Sequence, residues 1–169
     1  MKLAFAALLI AATLHAQSPI AAACGPMNTD FSVKLDSGHH QIAQPAPGKA
    51  QVYFIQDTGI KLGFANSYLY PTTAIGIDGQ WVGAYKHDSF LSVSVDPGEH
   101  RLCTAQRSEM TGPKLELAHF TAQPGMTYFF RTRLFLSPDS IYLQLEPVDS
   151  DEARYLLAKL PLSVSKPKK

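Results

Sequence analysis

The chain has 169 residues, a formal net charge of +1 and 17 % charged residues. A balance so close to neutral excludes a protein that gathers nucleic acid or acidic lipid by a strong long-range field. No stretch approaches eighteen consecutive apolar residues, so no membrane-spanning helix is expected either.

The N-terminus has the three parts of a secretory leader. Met1-Lys2 is a minimal positive region, Leu3 to Leu14 is an apolar run too short to span a bilayer, and polar or helix-breaking residues follow (His15, Gln17, Ser18, Pro19). Ala21-Ala22-Ala23 is the best cleavage site, giving a signal peptide over 1–23; a cut after Ala16 puts Leu14 where a small residue is preferred. Either cut implies an exported protein, in the periplasm, in the cell envelope or outside the cell. About 145 residues then remain, enough for one domain with a real core. Three fates are open for Cys24, one being that it and Cys103 stay unpaired thiols. It can form a disulfide with Cys103, the only other cysteine. Alternatively, the alanines before it resemble a bacterial lipobox, in which that cysteine carries diacylglycerol.

In chain order, residues 24–48 form an extended N-terminal segment, with a short alternating run at Phe31-Val33-Leu35 and a Pro-rich connector over Gln41 to Lys49. Ala50 to Gln56 is a strand rich in Val, Tyr, Phe and Ile with no charge, hence central. Asp57 to Pro71 is irregular, a long loop at a functional edge. Thr73–Ile77 and Trp81–Tyr85 pair across Asp78-Gly79, whose residues tolerate the positive φ of a tight hairpin. Phe90 to Val95 alternates apolar and serine residues, the period of a half-buried strand. Asp96-Pro97-Gly98-Glu99 turns the chain into His100–Ala105. Leu115–Phe120 and Thr127–Phe135 flank Pro124-Gly125, and Ile141–Glu146 is the last alternating strand. The period then changes: Asp149 caps a helix carrying Ala153, Leu156, Leu157 and Leu160, with Glu152 as the reciprocal capping residue and Pro161 as the stop. Residues 161–169 read as a basic tail. The expected fold is mainly β, an antiparallel β-sandwich of about seven to nine strands over 49–160 with one short C-terminal helix.

The order Ala50-Gln-Val-Tyr-Phe-Ile, Ile77-Asp-Gly-Gln-Trp-Val-Gly, Ser89-Phe, Val95-Asp-Pro-Gly-Glu-His, Pro124-Gly-Met-Thr-Tyr-Phe-Phe and Leu145-Glu-Pro-Val-Asp-Ser-Asp-Glu resembles a bacterial domain of unknown function (family 2846). Over the Ile77 to Cys103 hairpins alone it is similar to surface-associated β domains built around a Pro-Glu-Gly-Ala-type turn. The resemblance spans roughly Lys49 to Leu157. It implies an extracytoplasmic or lipoprotein-like β-sandwich without an established activity or ligand.

No catalytic grouping emerges. His39-His40 point apart, and His100 and Cys103 face opposite sides of one strand, so neither pair forms a metal site. His87-Asp88-Ser89 holds triad letters in consecutive turn positions, which cannot converge in space. Arg131 and Arg133 share a strand face with Phe129 and Phe135; in a neutral chain they are solvated rather than nucleic-acid readers. Neither an enzyme nor a cofactor is expected. Trp81, Tyr85 and Phe90, with Tyr68 and Tyr70 nearby, are the candidate exposed aromatic platform for an envelope protein or a polysaccharide. The sequence therefore points to a non-catalytic binding or structural module. The alternative is a secreted enzyme or metal-binding protein using His100, His119 and the loop over 57–71.

Overall fold

Alternating apolar and polar residues, broken by Gly and Pro, place the strands. In the computed structural model the described residues are 19–26, 29–38, 40–57, 60–61, 68–69, 72–106, 114–137 and 140–168. They form α1 (Pro19–Ala23), β1 (Phe31–Asp36), β2 (Ala50–Gln56), β3 (Ile60–Lys61), β4 (Tyr68–Leu69), β5 (Thr73–Ile77) and β6 (Gln80–Tyr85). There follow β7 (Ser89–Val95), β8 (Gly98–Gln106), β9 (Lys114–Ala122), β10 (Thr127–Ser137), β11 (Ser140–Pro147), α2 (Ser150–Leu157) and β12 (Leu162–Pro167). A six-stranded sheet, ordered β1-β12-β7-β2-β10-β11, faces a four-stranded sheet, β6-β5-β8-β9, and β3-β4 form a separate short ribbon. Most ladders are antiparallel; β10 runs parallel to β2, and β12 touches β7 through one parallel bridge at Leu162 and Phe90.

The mainly β sandwich expected from the sequence is therefore present, with ten strands in its two sheets rather than seven to nine. Eight of the ten lie within 49–160; the other two are β1 and β12. Residues 161–169 were expected to be a basic tail, yet Leu162–Pro167 pairs along its whole length with β1. Its serines work inward: Ser163 Oγ meets Ser89 Oγ at 2.8 Å, and Ser165 Oγ accepts from the Ala84 amide at 2.9 Å. The 24–48 segment likewise contributes a sheet strand, β1. Of the expected leader, residues 1–18 lie outside the described residues, and 19–23 form α1.

The main core lies between the sheets and includes Val52, Phe54, Ile75, Tyr85, Leu91, Leu102 and Phe130. On the outer face of the larger sheet, Tyr53, Ile55, Phe90 and Phe129 pack beneath Ala153 and Leu157 of α2. That second cover explains why β2 is buried from end to end. A strand packed on both faces has no polar side to alternate with. The helix begins as its sequence predicts, with Asp149 Oδ1 accepting from the Asp151 amide at 2.8 Å. Glu152 does not close the cap; it reaches Arg131 instead.

One end of the inter-sheet space is polar. Thr73 Oγ1 donates to Gln56 Oε1 at 2.9 Å and accepts from Gln106 Nε2 at 3.3 Å. The fully buried Tyr85 hydroxyl bonds Thr132 Oγ1, and burial pushes its pKa well above the usual tyrosine value. Tyr85→Phe leaves Thr132 without that bond in a site sealed from water, an expected loss of about 1–3 kcal/mol in a urea titration.

Candidate functional site

Trp81 and Tyr85 were expected to belong to one exposed aromatic platform with Phe90. The β5–β6 register slips between Ile75 and Gly76: Ile75 pairs with Gly83, but Gly76 pairs with Trp81. A bulged strand turns over at the extra residue. Tyr85 consequently points into the core and is fully buried, while Trp81 lies on the outer face, half-buried, its Nε1 donating to the Pro26 carbonyl at 2.7 Å. Phe90 is also buried, beneath α2. These three residues form no common surface. Tyr70 lies outside the described residues, and Tyr68 lies in β4.

Trp81 instead flanks the cysteine cluster. Cys24 and Cys103 are disulfide-bonded, with sulfur atoms 2.02 Å apart, and both are fully buried with Ala23 against the four-stranded sheet. Gly76 makes this approach possible, since a Cβ there would lie 2.6 Å from the Cys24 carbonyl oxygen. A sulfur bonded to Cys103 cannot also carry a thioether lipid.

His100 joins two turns. Its Nδ1 lies 2.7 Å from Asp78 Oδ2, and its Nε2 lies 2.7 Å from the Asp96 carbonyl oxygen. Asp78 is fixed in turn, its Oδ1 accepting from the Arg101 amide at 2.9 Å. A ring facing two acceptors is best satisfied with both nitrogens protonated. Burial opposes that charge most strongly, but the bonds to Asp78 and Asp96 and the nearby carboxylates together raise the pKa. The doubly engaged ring has no lone pair for a metal or for general-base work. Because the folded pKa exceeds the unfolded one, its stabilising contribution is complete below about pH 6.5 and is lost as pH rises through the folded value. Thermal melts should therefore separate wild type from His100→Gln most at about pH 6 and less toward about pH 9.

A polar cleft of about 800 Å³ runs past this residue, lined by Ala22, Asp78, Gln80, Arg101 and His119 among others. His119 is exposed and stands opposite Arg101 in register. Among the described residues no group of three or more His, Cys, Asp or Glu could hold a metal ion. Of the triad letters, Asp88 takes a positive φ of 48°, and Ser89 Oγ is buried against the Lys86 carbonyl and Ser163. His40 bonds the Asp36 carbonyl oxygen, while His39 lies outside the described residues.

An exposed aromatic pair lies elsewhere, on the outer face of β10 and β11. Pairing in register makes three cross-strand rows: Arg131 opposite Glu146, Arg133 opposite Gln144, and Phe135 opposite Tyr142. The first row is closed. Arg131 Nε donates to Asp57 Oδ1 at 2.7 Å, a second guanidinium nitrogen meets Asp57 Oδ2, and Nη1 donates to Glu152 Oε1 at 2.8 Å. In the middle row Gln144 is exposed, and Arg133 is half-buried with Nε 2.6 Å from Glu146 Oε1. The last row is open, with Phe135 43 % and Tyr142 56 % exposed. Arg133 and Phe135 were visible in the sequence as neighbours on one face; Tyr142 joins them only through the hairpin register.

No protein-family model, no curated protein and no solved structure matches this chain.

Proposed function

We propose that this protein is an exported, non-catalytic β-sandwich of the bacterial envelope or exterior that engages a partner through the outer face of β10 and β11. The observation that carries this reading is the Phe135–Tyr142 pair: two large rings, opposite each other in register and both open to solvent. Elsewhere on that face, among the described side chains, Arg131, Arg133 and Glu146 are held in ion pairs and Gln144 is exposed, so the two rings are its open apolar surface. The leader-like N-terminus and a cysteine pair at disulfide distance support export to an oxidising compartment. The resemblance to the family 2846 domain supports an extracytoplasmic or lipoprotein-like β-sandwich. Incubating the protein with an envelope fraction tests it. Wild type should be retained, and Phe135→Ala with Tyr142→Ala should reduce retention at least about tenfold, equivalent to about 1.4 kcal/mol. Retention unchanged by both substitutions would remove the face from the argument.

A second reading rests on Ala21-Ala22-Ala23-Cys24, which supports a lipid-anchored envelope protein. It and the Cys24–Cys103 bond are mutually exclusive, and the intact mass of the purified protein separates them.

A further inference from the structure

Resting on the reading of the β10–β11 face as the binding surface, we infer that its occupant is an uncharged polysaccharide chain, stacked on Phe135 and Tyr142 and hydrogen-bonded by Arg133 and Gln144. Three features of the face select this chemistry.

The first is area. One aromatic side chain buries about 150–250 Å² when fully covered, so a two-ring patch falls short of the roughly 800 Å² per side of a stable protein interface. It is ample for one or two sugar rings, whose C–H faces lie flat on aromatic faces. The second is spacing. Rows two residues apart on a strand are separated by about 6.8 Å, somewhat more than the length of one sugar ring. A chain with one sugar on the aromatic row therefore carries the next across the Arg133–Gln144 row. There a guanidinium and a side-chain amide meet hydroxyl groups with donors, and with an amide oxygen as acceptor.

The third is charge. The two guanidinium groups of this face, Arg131 and Arg133, stand against three carboxylates: Asp57, Glu146 and Glu152. Among the described side chains of this face no cationic excess is left to recruit a uronic acid polymer, a phosphate headgroup or an anionic membrane. Recognition should consequently be insensitive to salt.

Calorimetric titration of the full exported protein tests this with a soluble linear β-1,3-glucan, a linear β-1,4-glucan and chitin oligomers, beside polygalacturonate and phosphatidylglycerol vesicles. At least one neutral polymer should bind, with an affinity unchanged between about 0.05 and about 0.5 M sodium chloride. Phe135→Ala and Tyr142→Ala should each weaken it at least tenfold. Tyr142→Phe should keep it, and Met126→Ala, at an exposed site outside this face, should leave it unaltered. Salt-sensitive binding to polygalacturonate or vesicles alone would overturn the inference. So would loss of envelope retention in the alanine variants with none of the neutral polymers bound, although the binding face itself would then stand. A neutral polymer bound equally by wild type and both alanine variants would overturn the assignment of the face as well.

Discussion

Cys103→Ser is expected to cost about 4–5 kcal/mol, the largest effect of any single substitution considered. Cys24 and Cys103 are 79 residues apart in sequence. Closing so long a loop removes much of the entropy of the unfolded chain, and the logarithmic dependence on loop length gives this figure. Against a total stability of about 5–15 kcal/mol it is a large share. In a domain of this size it corresponds to roughly 10–20 °C in melting temperature. Both cysteines are fully buried, and the N-terminal backbone covers the bond from above Gly76. Reductant alone should therefore act slowly on the native protein and quickly once about 2–3 M urea promotes opening. Calorimetry of wild type and Cys103→Ser, each with and without reductant, measures both effects. A melting temperature unaltered by the substitution would show that the bridge contributes nothing.

Arg131→Met should cost about 3–5 kcal/mol, the usual loss when one member of a buried ion pair is removed. The side chains of Arg131 and Asp57 are 11 % and 13 % exposed, so the remaining Asp57 carboxylate has little water to turn to. Burial works against the guanidinium, but Asp57 and Glu152 overcome it and raise its pKa. Charge on Arg131 consequently persists at every pH at which the protein is folded. Glu152 is half exposed, and Glu152→Ala should cost less than about 1 kcal/mol. Urea unfolding of the two variants should therefore differ severalfold in effect, although both residues touch the same guanidinium. Equal losses would assign the stabilisation to the helix contact rather than to Asp57. The Arg131–Asp57–Glu152 cluster ties the end of β2 and the first turn of α2 to β10, two rows away from Phe135 and Tyr142.

Much of the architecture was legible because turns and caps are local. Asp78-Gly79 adopts positive φ at both residues, 51° and 80°, as a tight hairpin requires. Asp149 caps α2, whose apolar stripe meets the sheet. What the sequence concealed depends on contacts between distant segments. The bulge that separates Trp81 from Tyr85 follows from how β6 pairs, and alternation alone cannot reveal a skipped residue. Glu152 has the spacing of a capping residue, yet a buried guanidinium on β10 is the stronger attraction. Leu162–Pro167 reads as polar because its serines bond across to β6 and β7 instead of packing as apolar residues do. The aromatic pair had the same difficulty: Phe135 and Tyr142 become neighbours only once the hairpin register is known, and helix α2 then decides which part of the face stays open.

The position of β12 has a consequence for how the chain reaches its final state. β1 is translated well before β12, its ladder neighbour in the sheet. Synthesis from the N-terminus onward leaves β1 without that neighbour until residues 162–167 exist. A chain interrupted after α2 therefore holds a bare strand edge, open to proteases or to pairing with another copy. The six-stranded sheet is therefore completed only once residues 162–167 have been made.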